Sequence, residues 1–226
     1  SSAANLARRA AALRRPPPAV RAVLAVVGVV IFIAIAWWAV DDYRQRGLDA
    51  NVWLLATAAL IGTPLAVWLN GLELMVLSRA TGQEPSMSQA SAVSLMASCA
   101  NVLPLPGSVL VRTWFLARGP RGLKAAVSVQ AIAGVTFVGV TAAVVGVLLV
   151  AASPWAAAGL IVFGTATCVV AAKVAGWRLV ARLIRVEAAM AASEIGRYLV
   201  VLHALGLGAR FDRAAPLVLA NVLSTV

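Results

Sequence analysis

The stretch QASAVSLMASCANVLPLPGSVLVRTWFLAR, residues 89–118, decides how this chain is read. Its apolar first part runs for only about 14 residues before the break at Leu103–Gly107, and a membrane-crossing helix needs about 20. After LPLPG the apolar pattern resumes as SVLVRTWFLAR, again too short to cross, with Arg112 inside it. Two half-length helices flanking a Pro-Gly break predict a re-entrant hairpin. A single long kinked helix, or a helix followed by a surface loop, is the alternative. Irregular backbone of this kind survives at membrane depth only where protein or water covers it.

Working outward, the flanking segments are long apolar runs joined by short polar ones. N-terminal to the break, a span is expected from about Trp53 to Leu77, with Pro64 inside it, Asn70 and Glu73 on one face at i and i+3, and Arg79 at its inner end. The polar turn TGQEPSMSQ follows, where Ser86 or Ser88 suits a helix N-cap. C-terminal to the break, Arg118, Arg121 and Lys124 lead into a Gly- and Ala-rich span from Ala125 to Val150, whose Gly134, Gly139 and Gly146 suit close helix approach. Another span covers about 156–175. The basic run Lys173, Arg178, Arg182 and Arg185 then reads as an interfacial amphipathic segment. A further span is expected over about 187–207, and Pro216 opens a last apolar helix. Before all of these, residues 1–18 form a basic cytoplasmic arm stopped by Pro16–Pro18, and Arg21–Val40 is the first span, anchored by Trp37 and Trp38.

Composition agrees with lipid as the solvent. The chain is 62% hydrophobic and 12% charged, with a mean hydropathy of +0.93. Soluble domains are roughly half apolar and a quarter charged. The net charge of +11 sits in clusters between apolar runs, with no basic helix interleaved with stacking aromatics, so it reads as positive-inside bias and not as a nucleic-acid surface. The clusters at 8–21, 112–124 and 173–185 fall on one face and the loops near 41–49 and 153–155 on the other, which sets the N-terminus in the cytoplasm. Cys99 and Cys168 are far apart and form neither a metal spacing nor a disulfide framework.

One internal similarity stands out. Segment 74–101 and segment 199–226 both read as the end of a span, a Gly-containing turn, a polar loop and a small apolar helix, with Leu74, Val76, Leu77, Ala90 and Val93 matching Leu199, Val201, Leu202, Ala215 and Val218. The first copy follows an inward span and the second an outward one, the pattern of an inverted-topology repeat whose broken helices meet near the midplane. In this register a counterpart of VLPLPG is expected just beyond Val226, so the transmembrane domain, 19–226, is expected to be cut short at its C-terminal end.

The chemistry that remains lies in ionisable and helix-breaking groups at membrane depth, which are costly there and default to function. Arg112 is placed to meet a lipid phosphate, and a snorkelling arginine is the plain alternative. Glu73, beside Asn70, is open to pairing with Arg112 or Arg79, or to serving a proton or headgroup amine. Asn101, Pro104, Pro106 and Gly107 build the break and free backbone N–H groups suited to an anion. Glu194 and Arg197 form an i,i+3 pair as the candidate site of the second half. His203 reads as an interfacial residue. No catalytic residue, metal site or cofactor is indicated.

The pattern LELMVLSRATGQEPS, then a short apolar helix, then Asn101-x-x-x-Pro-x-x-Gly followed by Arg112, resembles the transmembrane flippase-like family, best known as the membrane halves of lysylphosphatidylglycerol synthases. The resemblance implies lipid translocation without aminoacyl transfer. The expectation is therefore an all-α polytopic membrane protein with about five full spans plus re-entrant broken helices, in the bacterial inner membrane. It is expected to translocate a phospholipid, aminoacyl-phospholipid-like, or a polyprenyl-phosphate-linked headgroup between leaflets. Its partners would be membrane lipids with anionic headgroups, and either a second copy or a synthase or glycosyltransferase. The alternatives are a membrane-embedded enzyme acting on lipid phosphates and a scaffold subunit for such an enzyme.

Overall fold

The computed structural model describes residues 51–100 and 107–225, together with Val30, Ala34, Trp37, Trp38, Asp41, Asp42 and Gln45, which are all helical. Residues 1–50 and 51–226 form two separate units. In the first, Gln45 Nε2 donates to Asp41 Oδ2 at 2.7 Å. The expected arm at 1–18, most of the expected span at 21–40, and the break residues Asn101, Pro104 and Pro106 lie outside the described residues.

Among the described residues the second unit is entirely helical. Its elements are α1 (Val52–Ala80), α2 (Met87–Ala100), α3 (Gly107–Leu116), α4 (Gly122–Leu149), α5 (Pro154–Ala175), α6 (Trp177–Ala204) and α7 (Phe211–Thr225). Local chemistry sets the boundaries. Asn51 caps α1 by accepting from Leu54 N–H. Ser86 and Gln89 form a reciprocal capping box at the start of α2, each side chain meeting the other's backbone N–H. Pro154 sits in the first turn of α5, where its missing N–H costs nothing. Gly176, at φ +89°, is the one residue between α5 and α6, a left-handed position that a side chain would strain.

Three hydrogen bonds orient the bundle. Asn51 N–H donates to Ala204 O at 2.7 Å, so the start of α1 meets the end of α6 and the two helices run antiparallel. Gln83 Nε2 donates to Leu116 O at 2.8 Å, and Arg121 Nη1 donates to Ala80 O at 2.6 Å. The ends of α1 and α3 are therefore tied together, and α2–α3 is a hairpin that leaves and returns at the same end. Gly107, at the start of α3, lies so close to Ala100 that any Cβ would collide with the Ala100 carbonyl. The two arms are thus pinched together at the far side of the break. This is the hairpin alternative, not one long kinked helix.

Arg79, Arg118, Arg121, Lys124, Lys173, Arg178, Arg182 and Arg185 gather at this hairpin-closing end. Leu74, Leu77, Ala90, Leu116, Ala126, Val129, Ala133 and Leu183 pack into one buried cluster just inside it.

Helices α1, α4 and α5 are each long and apolar enough to cross a membrane. Their outer faces leave Leu60, Ile61, Val162 and Phe163 exposed. The expected boundary near residue 187 does not exist. Lys173 lies in the last turn of α5, while Arg178, Arg182 and Arg185 and most of the expected span at 187–207 belong to one 28-residue helix, α6, whose six charged residues keep it out of that class by composition. Likewise α7 begins at Phe211, with Pro216 inside it and not at its start.

The α4–α5 seam is built from small residues. Gly139 lies against Gly164, and Gly146 against Ala157 and Ile161, while Gly134 has nothing within 4 Å. Such close backbone approach supplies dispersion contacts where lipid leaves no hydrophobic drive between helices. A leucine at Gly164 would meet the Gly139 carbonyl and Ala143 N. Gly164→Leu is expected to destabilise the detergent-solubilised protein by about 3 kcal/mol, and Gly159→Leu, in open space, by no more than about 0.5 kcal/mol. Thermal unfolding of the two variants checks this, and equal stabilities would remove the seam from the fold's supports.

Candidate functional site

The site begins with the helices that carry it. Gly71 on α1 lets α2 approach until a Cβ there would touch Ser91 Oγ at 2.8 Å. Glu73 is buried with 4% exposure. The pinch at Gly107 fixes the start of α3, and Arg112 lies about one and a half turns along it. Arg112 Nη2 donates to Glu73 Oε2 at 2.6 Å, in a pair that is almost wholly out of solvent. Of the two partners open to Glu73 in the sequence, the structure selects Arg112; Arg79 is exposed in the last turn of α1.

The other expected residues distribute differently. Asn70 turns back on its own helix, its Nδ2 donating to Ala66 O at 2.8 Å. Gly107 is the packing residue just described. Glu194 and Arg197 form their i,i+3 pair at 2.5 Å, half open to the surface, and the Arg197 stem lies over Gly62 of α1. Gly62 is eleven residues from Glu73, roughly 16 Å along the helix, so this pair is separate from Arg112 and Glu73. His203 is exposed in the last turn of α6. Among the described residues, no three of His, Cys, Asp and Glu come together as a metal site.

The structure adds what the sequence reading missed. Glu187 of α6 is wholly buried, and neither of its carboxyl oxygens has a hydrogen-bond partner. It lies within electrostatic range of both Glu73 and Arg112. Its position follows from register. Glu73, Ser94, Arg112, Gln130 and Glu187 each stand one helical turn from a member of the buried cluster, namely Leu77, Ala90, Leu116, Ala126 and Leu183. In every case the polar residue is the one farther from the basic end. Five helices therefore place one polar side chain each at a similar depth, in a layer about 6 Å beyond Leu77, Leu116 and Leu183. Ser94 Oγ, Arg112 Nε, Gln130 Oε1 and both Glu187 oxygens are buried in that layer without partners. An acid one turn beyond a buried leucine was the available signal.

Chemically the layer offers one guanidinium, bonded to one carboxylate and with a spare N–H, beside a second acid. Cys168, on α5, lies against Gly139. No family model, curated protein or solved structure matches the chain.

Removing one partner from a buried ion pair leaves a charge uncompensated, whereas replacing both with apolar groups is close to neutral. Arg112→Met is expected to cost about 3 kcal/mol, and adding Glu73→Met should restore most of it. Thermal unfolding of the two singles and the double measures this coupling, and simple additivity would show that neither residue depends on the other.

Proposed function

We propose that this chain is a multi-pass protein of the bacterial cytoplasmic membrane that carries a phosphate-bearing lipid headgroup, of a phospholipid or a polyprenyl phosphate, between leaflets. The observation that carries the reading is Arg112, a largely buried guanidinium on the second arm of a helical hairpin, with its Nε–H lacking an acceptor. A lipid phosphate is an acceptor for that N–H, and guanidinium holds phosphate through paired, charge-assisted bonds. Glu73 keeps the cation neutralised while no phosphate is bound, so entry of the headgroup exchanges one anionic partner for another.

Several features support the membrane setting. Trp53 and Trp155 are exposed at one end of the bundle, and Trp114 and Trp177 at the other, as an aromatic belt requires. The basic end is then cytoplasmic. In that orientation α2–α3 enters from the cytoplasmic side and returns to it as the re-entrant element, with α6 and the run at 21–40 completing five spans.

The helix boundaries support the inverted repeat. Those of α1 and α2 recur 124 or 125 residues later as those of α6 and α7, and α1 and α6 run antiparallel. Alternating access by two such halves around broken helices suits a lipid headgroup. The resemblance to the flippase-like family points the same way.

Leaflet exchange of labelled lipids in proteoliposomes tests the reading. Arg112→Lys keeps the charge but loses the planar fork, and is expected to fold and to slow exchange about tenfold or more. The double variant Arg112→Ala with Glu73→Ala leaves no orphan charge, and is expected to stay in the membrane without activity. Full exchange by the folded double variant would remove the pair from transport. For topology, a cysteine at Gln45 should react with an impermeant reagent added outside and one at Gly122 should not. Cysteines at Gln83 and Arg121 should report one compartment. Opposite compartments for these two would contradict a re-entrant hairpin.

A further inference from the structure

Glu187 is the one acid of the polar layer with no bonded partner. A carboxylate stripped of water and of hydrogen bonds is unfavourable by several kcal/mol or more, and such groups neutralise instead. Three species can neutralise it: a metal cation, the guanidinium of Arg112, or a proton. A metal cation needs several oxygen ligands. The backbone around Glu187 is unbroken helix whose carbonyls are committed to it, and the neighbouring Arg112 repels a cation. Arg112 is in reach electrostatically but is bonded to Glu73.

We infer that Glu187 is a proton-binding site, and that its proton and the Arg112 guanidinium are alternative partners shared between Glu187 and Glu73. The layer then holds two carboxyl groups, one guanidinium and one proton, and is neutral. In the state seen here Arg112 bonds Glu73 and Glu187 holds the proton. In the other state Glu187 releases its proton, Arg112 swings its spare Nε–H edge to the new carboxylate, and Glu73 takes up one proton. Charge is conserved within the layer, so neither state buries a net charge.

Among the described residues, no further charged group faces Glu187. Of the helices packed on α6, α1 presents Glu73, α4 the uncharged Gln130, α5 the thiol of Cys168 and α7 the apolar Ala214, Ala215 and Val218. On α6 itself Glu194 is bonded to Arg197, and Arg185 is exposed. Within the transport reading, on which this role rests, the exchange would let a proton set whether Arg112 is committed to Glu73 or freed from it. The proton site itself does not require that reading.

Infrared spectroscopy of the reconstituted protein tests it without any transport measurement. A protonated carboxyl without hydrogen bonds has a distinct carbonyl stretch. The band is expected in the wild type at neutral pH, absent in Glu187→Gln and unchanged in Glu194→Gln. In Glu73→Gln, Arg112 turns to Glu187, which ionises, so the band should vanish there too while the amide bands stay helical. A band indifferent to Glu187→Gln overturns the proton site. A band that persists in Glu73→Gln, or a Glu73→Gln protein that fails to fold, overturns the exchange. A melting temperature that rises with sodium in the wild type and not in Glu187→Gln would make this a metal-cation site and overturn it as well. If leaflet exchange fails while the band behaves as stated, the transport reading falls and the proton site stands.

Discussion

Burying a guanidinium among apolar helices is the constraint on which the rest of this structure turns. Arg112 is largely withdrawn from water, so most of its charge must be met within the protein. Glu73 meets it from a helix 39 residues earlier in the chain, so the pair staples α1 to α3 across the intervening α2. That geometry requires close backbone approach on both sides, and glycine supplies it twice. Gly71 admits α2 against α1, and Gly107 brings the start of α3 onto Ala100. Gln83 and Arg121 then close the other end by bonding the last carbonyls of α3 and α1. Free carbonyls at helix ends are satisfied, and the hairpin is held at tip and base.

A second kind of adhesion holds α4 to α5. No charge is involved there; Gly139, Gly146 and Gly164 bring the backbones together, and contact area does the rest. The bundle thus has a polar half, α1 to α3 with α6, and a seam of small residues beside it. α4 belongs to both, giving Ala126, Val129 and Ala133 to the leucine cluster and Gln130 to the polar layer. A helix fixed on two faces by different forces is suited to act as the frame against which the hairpin is positioned.

Much of this was legible in the sequence because the signals are local. The break at LPLPG, the capping residues around Ser86 and the glycine seam each announce themselves over a few residues. The partner of Glu73 was not legible, because Arg79 and Arg112 carry the same charge and only the third dimension separates them. Glu187 was hidden by an error of segmentation. Reading Lys173–Arg185 as an interfacial run and starting a new span near residue 187 divided α6 between Leu183 and Glu187. The structure shows these two residues as neighbours on one face of one helix. The arginines of that run lie on its other faces, and their density masked the buried stripe.

The polar layer also bears on how two similar halves can do unequal work. In the proposed repeat, the helix boundaries of α1 and α2 recur in α6 and α7, yet the chemistry does not. At the same offset Glu73 falls on Tyr198, and Glu187 falls on Gly62, which is itself occupied by the stem of Arg197. The proposed repetition therefore lies in the backbone, and the charges of the polar layer are distributed singly, Glu73 on α1, Glu187 on α6 and Arg112 on the first hairpin. A backbone with two-fold pseudo-symmetry has two conformations of similar packing energy, because each half can take the other's arrangement. Unequal charges remove that degeneracy. In the inferred exchange, the state in which Arg112 bonds Glu73 would differ from the state in which it bonds Glu187, and a proton or an anion arriving from water would stabilise one of them over the other. In the proposed repeat, similar helices with unequal charges on three side chains would make the two states unequal in energy.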